Sequence, residues 1–327
     1  MSGEVWQLGP LKVEPGQTLR GVFPVDLGAA TIDFPIALVN GVEPDPVVLV
    51  TAGMDGDEHA AIEAALRLID GLDATKLAGR VMICPVLDPL SFEAQKNQNP
   101  LDGLFLKNVF PGDLDGKPTQ RLAHFIYHNF LVHADAWVSL HVNNVNEEAQ
   151  PFVWTYQGDD AQINEQNNLL LRSSGAEIAL SKAPYTWEPA QHILTASTAL
   201  VAAQAGCSYQ SDESATEFHL HVIQNVLQGM DMLHQEAAPP PQVFLHSEKL
   251  LADATGLWYP RVQAGAEVSS GQIIGEVFKL DGSSALQTVT SPFAGVALSI
   301  HTGLATRPRQ QVALIANRRQ HPPTTEG

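Results

Sequence analysis

The chain has 327 residues, 44% of them hydrophobic, which is enough to bury a sizeable core and excludes wholesale disorder. Its 36 acidic residues against 18 basic ones give a formal charge of −18. A surface that acidic repels phosphate backbones and anionic headgroups, so neither nucleic acid nor a membrane is an expected partner.

The first 45 residues carry short strand-like stretches separated by Gly and Pro. Residues 47–51 (Val-Val-Leu-Val-Thr) form a continuous β-branched run, as expected of a strand covered on both faces. The Gly53 to Glu58 stretch is a tight loop, after which Ile62, Ala65, Leu66 and Ile69 recur at helical spacing and Gly71 stops the pattern. Residues 80–87 read as a second buried strand, so 47–87 carries the βαβ signature of a largely parallel sheet. Pro118 opens a helix with Leu122, Phe125, Ile126 and Phe130 on one face. Residues 136–140 are a strand ending at His141. The spacing predicts helices over 160–173 and 196–205 and a longer amphipathic one over 217–235. The prolines at 239–241 break the chain, and 244–316 has the short strands and turn signals of an all-β module before a polar tail.

The expected architecture is therefore α/β, a mixed, mostly parallel sheet flanked by helices over residues 1–240, with a smaller all-β domain over 244–327. Cys84 and Cys207 make no disulfide framework, and Cys84 reads as a core residue. The amino terminus lacks a secretory pattern, and no apolar run approaches the ~18 residues of a membrane span. A cytoplasmic protein is expected, with its oligomeric state left open, a homo-oligomer included.

In open α/β sheets ligands bind beyond the carboxyl ends of the strands. Asp55 and Glu58 lie there, three residues apart across a glycine-containing turn, and His141 ends another strand. Two carboxylates and an imidazole can hold zinc with one position left for water, and a further carboxylate such as Glu213 can accept that water's proton. The same residues have plainer readings. Asp55 or Asp57 can cap the helix that follows, and a single His at a strand end is more often structural than a ligand. His59 reads as helix surface, His219 and His221 as a poor metal pair, Glu217 as the rival base, and Trp187 as cover for the core.

Residues 48–58 resemble the strand and GxHGDE loop of the succinylglutamate desuccinylase/aspartoacylase family, which is related to the zinc carboxypeptidases. Residues 89–94, 99–104 and 109–112 resemble its substrate-binding stretch, Val138-Ser-Leu-His141 its VDLH strand, and 197–213 its helix followed by GxPxxTxE. The module around 265–275 and 291–295 is similar to its appended β domain.

The resemblance implies one zinc per chain at Asp55, Glu58 and His141, with Glu213 as general base. The implied reaction is amide hydrolysis of a small N-acyl amino acid or N-acyl amine. Three departures stand out. Asp55 replaces the usual His ligand, a harder donor that also admits Mn or Mg. Lys107 and Asn108 stand where the family reads Asn-Arg, and Asn97, beside Lys96, stands for a second Arg. Lys96, Asn97, Lys107 and Asn108 are the candidate substrate contacts, although a Lys does not reproduce the bidentate grip of an Arg. A catalytically degraded binding homologue and a metallocarboxypeptidase are the alternatives.

Overall fold

The protein is described from a computed structural model covering residues 4–182, 198–236 and 238–317. Trp187, the first two residues of the expected 196–205 helix and the polar tail lie outside these residues.

A nine-stranded sheet forms the centre. Its strands are β1 (Gln17–Asp26), β2 (Thr31–Asn40), β3 (Val47–Thr51), β4 (Arg80–Cys84) and β5 (Ala136–Asn143), then β6 (Phe152–Tyr156), β7 (Ile178–Lys182), β8 (Ala199–Cys207) and β9 (Gln242–Phe244). They lie in the order β9-β7-β6-β8-β5-β3-β4-β2-β1. The pairings β8–β5, β5–β3, β3–β4, β7–β6 and β9–β7 are parallel, and the other three are antiparallel, as the expected mixed sheet requires.

Helices α1 (His59–Gly71), α2 (Pro118–Asn129), α3 (Ala161–Ser173) and α4 (Glu213–Gly229) cover the two faces. Side chains alternate across a strand, so position parity assigns each residue to a face. Val48, Val50, Val138, Val201 and Ala203 pack with Ile62 and Leu68 of α1 and Val222 and Val226 of α4. Leu49, Trp137 and Leu200 point the other way and pack with Leu122 and Ile126 of α2. This division decides which residues can reach the site.

One element differs in kind from its expectation. Residues 199–207 form a strand between β5 and β6, not a helix. The run Ala199-Leu-Val-Ala-Ala-Gln-Ala-Gly-Cys207 has helical propensity. However, it is buried on both faces, and its small side chains let α4 approach: a Cβ on Gly206 would lie 2.8 Å from the Cβ of Ala215. Tertiary packing overrides local preference here. The expected helix over 217–235 runs instead from 213 to 229. It begins earlier because Asp212 caps it by accepting from the amides of Ser214 and Ala215 at 3.0 and 3.2 Å, and it ends at Gly229, a residue of poor helix propensity.

The carboxyl-terminal module is all-β, as expected, with Trp258 fully buried at its centre. It is stitched to the main sheet at two points. Residues Gln242–Phe244 join β7 as an edge strand, and Glu147–Ala149, between β5 and β6, pairs with Gly295–His301 of the module.

Candidate active site

The loop between β3 and α1 brings the first two functional side chains together, and two glycines shape it. Gly53 sits at φ +62°, a conformation that disfavours any side chain. Gly56 presses against the one-turn helix Pro89–Glu93, where a Cβ would lie 2.1 Å from the backbone of Ser91. That helix is itself fixed by buried Asp88, which accepts from the Ser91 amide and hydroxyl and from the Asn99 side chain. Asp57, read from sequence as a cap, is instead buried with its carboxyl against Ser208, and burial pushes that carboxyl up. The residue at the helix start is Glu58, which makes no side-chain cap.

Asp55 and Glu58 face a cavity of about 250 Å³ at the carboxyl ends of β3, β5 and β8, on the α2 face of the sheet. Ser139 and His141 enter it from β5, Gln204 from β8, Trp154 and Tyr156 from β6, and Lys107 from the turn Leu106–Asn108. Parity explains the selection: Trp137, Ser139 and His141 share one face of β5, as Leu200, Ala202 and Gln204 share one face of β8.

Glu58 is almost fully buried. Its Oε1 lies 3.0 Å from Nδ1 of His141, and its Oε2 accepts the Asp55 amide at 3.1 Å. Burial pushes the Glu58 carboxyl up, but the facing His141 and these hydrogen bonds outweigh it, leaving Glu58 below the ordinary value. The other ring nitrogen, Nε2, is 2.8 Å from Ser139 Oγ, so the imidazole is held from both sides. Asp55 is 14% exposed. Its Oδ2 takes the Lys107 ammonium at 2.5 Å, whereas Oδ1 is buried with no hydrogen-bond partner among the described residues. Burial and the charge of Glu58 raise Asp55 to about 6 despite Lys107.

The structure therefore gathers Asp55, Glu58, His141 and Lys107, but not the other expected site residues. Among the described residues no three His, Cys, Asp or Glu side chains are close enough to hold a metal ion as they stand. Lys96, Asn97 and Asn108 do not line the cavity. Lys96 contributes its backbone carbonyl to the Gly56 amide at 2.9 Å and leaves its side chain in solvent.

The expectation for Glu213 is corrected. It opens α4, which packs on the opposite face of the sheet, and it is not a cavity residue. Its carboxylate is exposed and forks onto Arg67 of α1 at 2.6 and 2.8 Å, which holds it below the usual carboxylate range. Its rival Glu217 is also turned to Arg67, at 3.6 Å. Among the cavity residues that sequence reading missed, with Ser139, Trp154 and Tyr156, is Gln204. Its amide donates to Asn143 Oδ1 at 2.7 Å, and it stands level with His141 across the β8–β5 ladder. It was hidden because 196–205 read as a helix; as a strand, the register with 136–143 would have placed it.

The model of the succinylglutamate desuccinylase/aspartoacylase catalytic domain matches residues 44–203. An N-α-acetyl-L-2,4-diaminobutyric acid deacetylase from Halomonas elongata is 27% identical over 246 residues, which cover 73% of this chain and 72% of that protein. Among solved structures, a succinylglutamate desuccinylase/aspartoacylase from Rhodobacter sphaeroides superposes with a TM-score of 0.85 at 20% identity, covering 94% of this chain and 98% of that one. The product-bound ectoine utilisation protein EutE from Ruegeria pomeroyi does so at 0.83 and 20%, covering 91% and 95%. The fold is thus shared with these solved structures, and residues 44–203 of this chain, which contain Asp55, Glu58, Lys107, His141 and the start of β8, carry the catalytic domain of the succinylglutamate desuccinylase/aspartoacylase family.

Proposed function

We propose that this chain hydrolyses the amide bond of a small N-acyl amino acid or N-acyl amine in the cavity between Asp55, Glu58, Lys107 and His141. The observation that carries the reading is the convergence of Asp55, Glu58 and His141, from a loop and a separate strand, on one cavity at the carboxyl ends of parallel strands. At about 250 Å³ the space is smaller than the ~300–1,000 Å³ usual for ligand pockets, which suits an acyl amino acid better than a peptide.

The residues fit a divalent ion chemically. Two carboxylates and an imidazole are a suitable donor set, and Asp55 Oδ1 is a buried oxygen that lacks a partner among the described residues. Asp55, Glu58 and His141 would hold zinc, or Mn or Mg given the extra carboxylate. Bound there, the ion would polarise the acyl carbonyl and acidify a water. The chain's own residues do the rest. Ser139 fixes the imidazole plane, Gln204 presents a neutral amide beside His141, and Trp154, whose ring centroid lies 5.5 Å from that of His141, closes one wall against water. The Lys107 ammonium supplies a positive charge for the carboxylate of a substrate that carries one.

One observation favours a second reading. Ser139 Oγ, His141 and Glu58 stand in the hydrogen-bond order of a Ser–His–acid triad, at 2.8 and 3.0 Å. In that reading the serine attacks the acyl carbon without a metal. The metal-assisted reading ranks first because it also accounts for the unpartnered oxygen of Asp55.

A panel of acetylated, formylated and succinylated amino acids and amines, assayed with zinc and after chelation, separates the two. Turnover lost on chelation and restored by zinc supports the metal reading. Turnover that survives chelation but not Ser139→Ala supports the triad. Failure to turn over any member in either state refutes the deacylase proposal.

A further inference from the structure

The cavity already contains a cation bound to one of the carboxylates a metal ion would use. Lys107 Nζ occupies Asp55 Oδ2 while Oδ1 is buried and without a partner among the described residues. An ammonium and a divalent ion attract the same carboxylate and repel each other at contact distance, more strongly where burial limits screening. Lys107 nevertheless has somewhere to go. Its side chain is 42% exposed on a flexible four-carbon stem, so the ammonium can swing off Asp55 towards solvent without leaving the face of the Phe105 ring, whose centroid is already 5.3 Å away while Asp55 is held.

We propose that Lys107 is a built-in competitor for the metal ion. Its ammonium holds Asp55 in the metal-free protein and is displaced from that carboxylate towards solvent when a divalent ion binds, so this chain holds its metal weakly and exchangeably. The inference rests on the metal-assisted reading above and adds to it the determinant of affinity. It also gives a physical reason why the three donors are not gathered on one point: Asp55 is turned to Lys107, and Glu58 and His141 are turned to each other.

The test is zinc affinity, measured by competition with a chromophoric chelator at fixed pH and ionic strength. The full chain, stripped of metal, is compared with Lys107→Met and Lys107→Arg, and circular dichroism verifies each fold. Removing the charge in Lys107→Met is expected to tighten zinc by about tenfold or more, and keeping it in Lys107→Arg to leave affinity within about threefold. If the Met variant departs from the wild-type spectrum, Lys107→Gln takes its place. Zinc binding by the uncharged variant that is equal to or weaker than wild type overturns the competition and leaves the metal reading standing. An Arg variant as tight as the uncharged one overturns it as well. Folded proteins that all fail to bind zinc overturn both the competition and the metal reading.

Discussion

At the scale of single residues, burial decides which charged groups can take part in chemistry. Glu58 is buried, opposite His141 and beneath the Asp55 amide, whereas Glu213 lies in solvent on Arg67. Glu213→Gln is therefore expected to leave deacylase turnover within about threefold of wild type, since a solvent-exposed pair contributes little. Glu58→Gln is expected to lower turnover by about a hundredfold or more, as losses of groups at the reacting centre do. Steady-state kinetics on one turned-over substrate checks both, and the reverse order of effects would sink this assignment.

His219 offers a stability test that is independent of activity. It is completely buried in α4, against the backbone of Ala205 and His141, and neither ring nitrogen has a hydrogen-bond partner among the described residues. Burial holds it at about 4. Its ring is neutral in the folded chain but protonates in the unfolded chain below about 6.5. Its contribution is thus fully present above that pH and is lost as the pH falls towards 4. From pH 7 to pH 4.5 this one group removes roughly 2–3 kcal/mol. Urea midpoints at the two pH values measure the loss, and His219→Leu should flatten the difference; an unchanged slope in that variant would place the acid sensitivity elsewhere.

At the scale of elements, the site depends on how closely backbone segments approach. Gly56 touches the Ser91 backbone, and its amide donates to Lys96. Gly56→Ala must push the 53–58 loop away from the helix Pro89–Glu93, and it is expected to cost about 1–3 kcal/mol in chemical denaturation. Because that loop carries Asp55 and Glu58, turnover should fall too, even though Gly56 meets no substrate. The opposite case is residue 71, at the end of α1, where a Cβ meets nothing within 4 Å. Gly71→Ala is therefore the matched control.

At the scale of the whole molecule, the β module does not hang from the sheet by a linker. Phe244 of the edge strand β9 is buried with Phe152 and Leu180 of the main sheet and Leu298 and Ala316 of the module. A chain ending at residue 240 removes β9 and uncovers Phe152 and Leu180. It is expected to bind a hydrophobic dye and to self-associate in size-exclusion chromatography, as exposed apolar patches do. A monodisperse truncated chain with native circular dichroism would show that the α/β part folds alone.

Local pattern by itself determined the βαβ unit of 47–87, the helices opened by Pro118 and spanning 161–173, the strand ending near His141 and the all-β texture after 244. These follow from periodicity and from turn and cap residues, which act over a few positions. It also singled out Asp55, Glu58 and His141, because strand ends and tight turns leave a signature in the chain, whereas Lys107 stood out only through the family resemblance. The state of 199–207, the face on which Glu213 lies and the partner of Asp55 follow instead from packing between distant segments. An alanine-rich run becomes a strand only when neighbours cover both its faces. A carboxylate next to a cavity in sequence can still point to the far side of a sheet. An ammonium 52 residues along the chain meets Asp55 only once the loops have folded over the strand ends. Such contacts depend on long-range packing, and local pattern contains no record of them.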